Sequence, residues 1–285
     1  MMMMDWIVGA LCALLVSGAA YLKRSLSLSG MVAAAVMGTV YYGAGSLFWF
    51  GLLLLFFISS SVLSHYRGDR KEELERSYAK SGRRDAGQVL ANGGLGMLAC
   101  LGNWIWPDPG WGWFFVGTMA AVTADTWATE LGGLSRTAPR SIVTGRRIPP
   151  GTSGGVTLLG SAAALAGAVF IGGGAWLLLA WTGDAAGGEP AGTGTGTGTG
   201  AFGLVRWALI GGLSGLFGAF ADSWLGATVQ WMHRCSVCGK EVEVASHCGR
   251  ETVPVRGFRW MNNDAVNLLS SLAAGGLALG IGMIL

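Results

Sequence analysis

Charge is what this chain is shortest of. Only 12% of its 285 residues are Asp, Glu, Lys or Arg, about half the share of an ordinary soluble domain, while 52% are hydrophobic and mean hydropathy is +0.50. That balance excludes a water-soluble globular domain and points to a polytopic membrane protein. A basic stretch ahead of the first apolar run is also missing: the chain opens MMMMDWIVGALCALLVSGAAYL, and its basic pair, Lys23 and Arg24, comes afterwards. The order argues against a cleaved signal peptide and makes this run the first span. No Gly-Lys-Ser/Thr sequence occurs, which excludes a Walker A phosphate loop. A net charge of +3 gives no reason to expect a nucleic-acid partner; the lipid bilayer is the expected surrounding.

What is plentiful agrees with a membrane setting. The 49 glycines let helices approach closely, and the 13 tryptophans suit the membrane interface. Apolar runs at about 5–22, 28–43, 46–64, 88–106, 111–131, 155–181, 205–231 and 264–285 are each near the length that crosses roughly 30 Å of hydrocarbon. The expected fold is therefore all-α, a single membrane-embedded bundle of about eight spans. Every second connection is basic. Lys23–Arg24, the charged loop 65–87, the stretch 132–153 and the stretch 232–263 hold 2, 7, 4 and 5 of the 19 lysines and arginines, leaving only Arg206 elsewhere. By the positive-inside rule these four connections face the cytoplasm and both termini lie outside. The loop 65–87 reads as a solvated basic face or an interfacial helix, and the Thr-Gly repeat in 182–204 as a flexible outer linker.

Against this apolar background the polar residues stand out. Thr123–Gly160 places Asp125 and Glu130 at the end of a span, follows them with Arg136, Arg140, Arg146 and Arg147, and closes on the glycine-rich IPPGTSGG. Acidic oxygens for a hard cation, guanidinium groups for phosphate and exposed backbone amides are what a magnesium–nucleotide or phosphate site needs. Asp222 and Asp264 reach the same membrane face from the last two spans, and Asn92 comes to it from the fourth, one helical turn beyond Gln88. Asn263 and Asn267 share a helix face and could supply oxygen ligands or orient a carboxylate. Asp125 and Glu130 stand about 140° apart around a helix, so they cannot grip one ion together unless the helix breaks at Gly132–Gly133. In the loop, Gly151, Gly154 and Gly155 expose backbone, and Thr152 or Ser153 could cap the following helix.

The cytoplasmic stretch 232–263 carries HRCSVCGKEVEVASHC. Cys235-x-x-Cys238 with Cys248 suggests a structural zinc knuckle, completed by His247 or His233; a redox dithiol and plain free thiols are the other readings. Cys12 and Cys100 lie in apolar runs and are read as small core residues.

ADTWATELG at 124–132, PRSIVTGRRIPPGTSGGVTLLG at 139–160, ADSWLGATVQ at 221–230 and NNDAVNLLSS at 262–271, with GQVLANGG at 87–94, carry a resemblance. From about Gln88 onward the chain looks like the DUF92 or TMEM19-like family of integral membrane proteins, whose plant chloroplast members include phytyl-phosphate kinase. The resemblance implies transfer of a phosphoryl group from CTP to an isoprenoid monophosphate, with Mg2+, on the cytoplasmic face. On that reading Asp125, Glu130, Asp222 and Asp264 form the catalytic set, with Asp125, Asp222 and Asp264 as the metal ligands or their support. Arg140, Arg146, Arg147 and the 151–155 backbone would bind phosphate, assisted by Asn92, Asn263 and Asn267. A lipid transporter or flippase and a CDP-lipid-forming cytidylyltransferase are the competing functions.

Overall fold

The computed structural model describes residues 2–66, 83–183 and 200–285. Most of the charged loop 65–87 and of the Thr-Gly linker 182–204 falls outside the described residues. Eight long helices run through the rest: α1 Met2–Leu22, α2 Leu28–Val40, α3 Leu47–His65, α4 Ala86–Ile105, α5 Pro109–Gly132, α6 Leu158–Thr182, α7 Ala201–Thr228 and α8 Asn263–Ile284. A wide turn of π-helix, Tyr41–Gly45, extends α2.

Local chemistry sets the helix ends. Asp85 accepts from the backbone of Gln88 while the Gln88 side chain accepts from the backbone of Asp85, a reciprocal capping box that starts α4. Asp108 caps α5 through Gly110 N at 2.7 Å, with Pro109 in the first turn. Thr157 caps α6 through Gly160 N at 3.0 Å, and Asn262 caps α8 through Ala265 N at 3.0 Å. Thr152 and Ser153 therefore do not cap α6: the chain is still extended at Gly155–Val156, where it pairs antiparallel with Arg140–Ser141, and turns helical only at Leu158.

Among the described residues six helices are long and apolar enough to cross a membrane: α1, α2 with its π-turn, α3, α6, α7 and α8. Helices α4 and α5, of 20 and 24 residues, fall short only in apolarity. They hold the polar residues Asn92, Thr123, Asp125 and Glu130, and α5 packs against α3, α4, α6, α7 and α8, so its surface meets protein more than lipid. Every residue from Phe115 to Ala124 is buried. Lipid tails are as apolar as leucine, so such a helix is held by close van der Waals contact rather than by hydrophobic expulsion. At Gly218 a Cβ would fall 2.5 Å from that of Ala121, so the α5–α7 seam needs a residue without a side chain there. Above this seam Tyr41, Phe48, Trp49, Phe115 and Trp207 form a buried aromatic cluster, with Trp49 stacked on Phe115 at 4.6 Å.

Described residues of the four basic connections, Arg24, Arg84, Thr137 and Glu243 among them, line one cavity at an end of the bundle. Arg206, the exception in the sequence pattern, is engaged elsewhere: its guanidinium donates to Gly282 O at 3.2 Å and lies 5.4 Å from the Trp113 ring centroid. Between α7 and α8 the chain forms a small β-ribbon. Met232–Arg234 is flanked by Glu241–Val242 and Val253–Arg256, and a second pair joins Ser246–His247 to Arg250–Glu251.

Candidate active site

A cavity of about 730 Å3 opens at the end of the bundle where the basic connections meet. Its walls come from α4 (Gln88, Asn92), α5 (Asp125, Thr126, Thr129, Glu130), α7 (Asp222, Ser223) and α8 (Asn263, Asn267), and its rim includes Gly151–Gly155. Asn92 and Asn267, 175 positions apart in the sequence, are thus brought to one space. Asn267 Nδ2 meets Asn92 Oδ1 at 3.4 Å, joining α8 to α4, and Ser270 Oγ donates to Asp222 Oδ2 at 3.2 Å, joining α8 to α7. Ser271 Oγ returns to Asn267 O at 2.6 Å and holds that turn of α8. Asp125 and Asp222 lie close enough to repel one another, and the charge of Glu243 is felt at Asp222 as well.

Asp125 and Glu130 line the same cavity from a helix that stays regular to Gly132, and they have different surroundings. Glu130 accepts from Ser64 Oγ at 2.6 Å, on α3, and attracts Arg84. Asp125 faces Asp222.

The cations are placed differently from what the spacing suggested. Arg140, Arg146 and Arg147 are exposed and outside the cavity wall. Antiparallel pairing of Arg140–Ser141 with Gly155–Val156 and a bridge from Arg140 to Arg147 fold this segment into a hairpin-like flap, and the Arg140 guanidinium donates to Gly145 O at 3.0 Å. Arg24 and Arg84 line the cavity instead. Arg84 is fixed by its own backbone: its N–H donates to Ser25 O and its carbonyl accepts from Ser27 N, each at 3.0 Å. Arg84 stands immediately before the Asp85–Gln88 capping box, at the mouth of α4. Asp264 occupies the first turn of α8 beside the cavity but not in its wall, a position where a carboxylate favours the helix N-terminus.

The glycine loop is seated on the end of α7. Gly154 has φ +81°, and a Cβ there would run into Ala227 and lie 2.8 Å from Ser223 O. Ser153 Oγ donates to Gln230 Oε1 at 2.7 Å, and Gln230 Nε2 donates to Glu243 Oε1 at 2.9 Å. Gln230 and Glu243, both cavity residues, lie in stretches that the sequence singles out for other reasons, the 221–230 motif and the cysteine segment, and neither residue is itself a candidate there. Within the loop, Thr152 N donates to Pro149 O and Gly155 N to Thr152 O, so any anion recognition by its backbone falls to Gly151, Ser153 and Gly154.

A second, apolar cavity of about 60 Å3 lies among α1, α2, α3 and α4, lined by Val16, Leu26, Met37, Phe50, Leu54 and Phe57 among others. Arg84, Gln88 and Asn92 belong to the walls of both cavities. A polar chamber and an apolar one therefore share a partition.

In the ribbon, Cys235, Cys238, His247 and Cys248 bring three sulfurs and a ring nitrogen within 4.8 Å of one another. His233 is committed elsewhere, with Nδ1 at 2.9 Å from Thr252 Oγ1. The thiols differ in acidity. The backbone N–H of Cys238 and the neighbouring His247 pull Cys235 down to about 6, whereas desolvation and the adjoining sulfurs push Cys248 up to about 11.

The family model described as integral membrane protein DUF92 matches residues 11–275. Protein PGR of Arabidopsis thaliana is 31% identical over 278 residues, covering 90% of this chain and 89% of that protein. The uncharacterized membrane protein MJ0933 of Methanocaldococcus jannaschii is 30% identical over 209 residues, covering 72% and 75%. No solved structure shows significant similarity.

Proposed function

The chain belongs to the DUF92 family of integral membrane proteins, and from that premise we propose that it is a membrane-embedded phosphotransferase. Its acceptor is an isoprenoid monophosphate, phytyl or prenyl, and its donor a nucleoside triphosphate, CTP. The observation that carries this reading is the shared partition: a polar chamber lined by carboxylates, two arginines and a glycine loop meets an apolar chamber at Arg84, Gln88 and Asn92. An amphiphile with a phosphate head fits that division, with its first carbons in the apolar chamber and its head beside Arg84.

The donor set of the polar chamber suits a hard divalent cation, since Asp125, Asp222, Asn92 and Asn267 offer only oxygen and amide ligands. Two like charges held this close in a bundle are stabilised by a cation between them. Bound there, Mg2+ would neutralise the negative charge on the transferring phosphates. The residues of the chain do the rest. Asp222 is oriented by Ser270, and the Asn92–Asn267 contact fixes the spacing of α4 and α8 beside it. Arg84 holds the acceptor phosphate, and the loop at Gly151–Gly154 takes the donor's phosphates. An oxygen of the acceptor phosphate attacks the γ-phosphorus; one P–O bond forms, the bond to the β–γ bridging oxygen breaks, and CDP leaves with that electron pair. The acceptor is already an anion, so no strong general base is needed.

The test is to incubate purified protein with labelled CTP, Mg2+ and geranylgeranyl or phytyl phosphate and to separate the products. Prenyl diphosphate with CDP supports the reading. Release of pyrophosphate points to a cytidylyltransferase, and movement of the lipid across a proteoliposome membrane without turnover points to a flippase; either result overturns it.

A further inference from the structure

The β-ribbon between α7 and α8 is too small to hold itself together by packing. Its strands are two to four residues long, Val237, Val253 and Val255 are exposed, and Met232, Cys235 and Val242 are its fully buried apolar residues. Segments of this size normally need a covalent or metal staple. Yet the ribbon contains a residue in a costly conformation. Cys248 has φ +53°, the left-handed region that a side chain disfavours, followed by Gly249 at +71°. Such strain persists where the surroundings over-determine it. Here it brings the Cys248 sulfur to 3.2 Å from His247 Nδ1, with the Cys238 sulfur 3.5 Å from the same nitrogen.

Those separations can be compared with a metal tetrahedron. With Zn–S of about 2.3 Å and Zn–N of about 2.0–2.1 Å, tetrahedral ligands stand about 3.8 Å apart for sulfur pairs and about 3.5 Å for sulfur and nitrogen. The ribbon's four donor atoms all lie within 4.8 Å of each other, and both sulfur–nitrogen distances are near the expected edge. The first pair of ligands is set by a tight turn in which Val237 N donates to Cys235 Sγ at 3.4 Å and Gly239 N to Cys235 O at 2.9 Å. A disulfide would join two of the three thiols and leave the third, and the imidazole, unaccounted for. A closed set of three thiolates and one imidazole is that of a structural zinc site.

The ribbon also touches the cavity. Glu243 lies between the two ligand pairs, next to the strand Glu241–Val242, and Thr252 Oγ1 braces this segment through Val244 O at 2.7 Å. Its carboxylate is the end of the chain Ser153–Gln230–Glu243 that fastens the glycine loop. We propose that Cys235, Cys238, Cys248 and His247 Nδ1 bind one Zn2+, and that this metal, by fixing Glu243, holds the glycine loop in place over the cavity.

The site itself is tested by metal analysis of the full-length protein purified in detergent without added metal. One zinc per chain is expected, with loss of most of it in Cys238→Ser and in Cys248→Ser. Native protein without zinc, or with all three ribbon thiols reacting freely with a thiol reagent, overturns the site. The link to the loop is tested by limited trypsin digestion, because Arg140, Arg146 and Arg147 are exposed in the flap that ends at the glycine loop. Cleavage there, read by mass spectrometry, is expected to be about tenfold faster after chelation and in Gln230→Ala, as loss of one charge-assisted hydrogen bond predicts. The Gln230 variant keeps its zinc, so it separates the link from the stability of the ribbon. If cleavage rises only at Arg234, Lys240 or Arg250 while the flap is unchanged, the link is refuted. None of these measurements depends on catalysis, so they can fail or succeed whatever reaction the cavity performs.

Discussion

Replacing Gly154 with alanine separates steric contact from backbone conformation in the glycine loop. Two costs apply to the variant. A φ of +81° disfavours any L-residue by about 1–2 kcal/mol, and a Cβ pressed against Ala227 and 2.8 Å from the backbone carbonyl of Ser223 adds about 1–3 kcal/mol of overpacking. The sum is about 2–5 kcal/mol. Gly145 is the control: it lies in the same segment at φ +67°, with nothing within 4 Å of its would-be Cβ, so Gly145→Ala carries only the first cost. Reduced freedom of the unfolded chain favours both variants by about 0.4–1 kcal/mol and cancels in the comparison. With that term included, and at about 2–4 °C per kcal/mol for a chain near this size, Gly154→Ala lowers the apparent unfolding temperature in detergent by about 2–18 °C, and Gly145→Ala by about 0–6 °C. Intrinsic fluorescence on heating both proteins side by side measures the difference. Equal shifts for the two variants would refute the seating of the loop on α7.

Other predictions follow from where the charges sit. Arg84→Gln raises KM for a prenyl phosphate by about tenfold or more, as loss of a charge-assisted hydrogen bond requires, while Arg146→Gln and Arg147→Gln leave it within about twofold; steady-state kinetics with each variant decides. Ser270→Ala removes the donor to Asp222 Oδ2 and reduces turnover by about three- to tenfold with the protein still folded, read as kcat alongside the unfolding temperature. Asp85→Ala breaks the capping box of α4 and destabilises the protein by about 0.5–2 kcal/mol, seen as a lower unfolding temperature. Narrowing the apolar chamber with Ala34→Leu lowers turnover of long prenyl phosphates more than of short ones, which a chain-length series would reveal.

The bundle was legible because the membrane makes apolar runs unmistakable and because backbone groups in lipid must be satisfied within a helix. The arrival of Asn92, Asp125, Asp222, Asn263 and Asn267 at one end was legible for the same reason: span lengths fix which end of each helix a polar residue occupies. Loops carry no such constraint. Four arginines near a glycine-rich turn suggested a phosphate grip, yet a short antiparallel pairing between Arg140–Ser141 and Gly155–Val156 turns three of them to the outside. Pairing between two-residue strands leaves no periodic trace in the sequence. Arg84 stands where the charged loop runs into the fourth apolar run, but the backbone that seats it, at Ser25 and Ser27, is distant in sequence and leaves no local signal. That His247 rather than His233 stands beside the three thiols likewise needed the ribbon's fold, in which His233 pairs with Val242 and Pro254 and its Nδ1 meets Thr252 Oγ1.

The most direct test of the central claim follows label from the terminal phosphate of CTP into lipid. Purified protein in liposomes with Mg2+ and geranylgeranyl phosphate is predicted to move that label into geranylgeranyl diphosphate. Asp222→Asn, with its zinc content and unfolding temperature unchanged, should slow the transfer by about 10²–10³-fold, the range for loss of one preorganised electrostatic group. Label transfer that is as fast in Asp222→Asn as in the wild type would contradict the account, as would a wild-type protein that transfers none to any prenyl phosphate supplied.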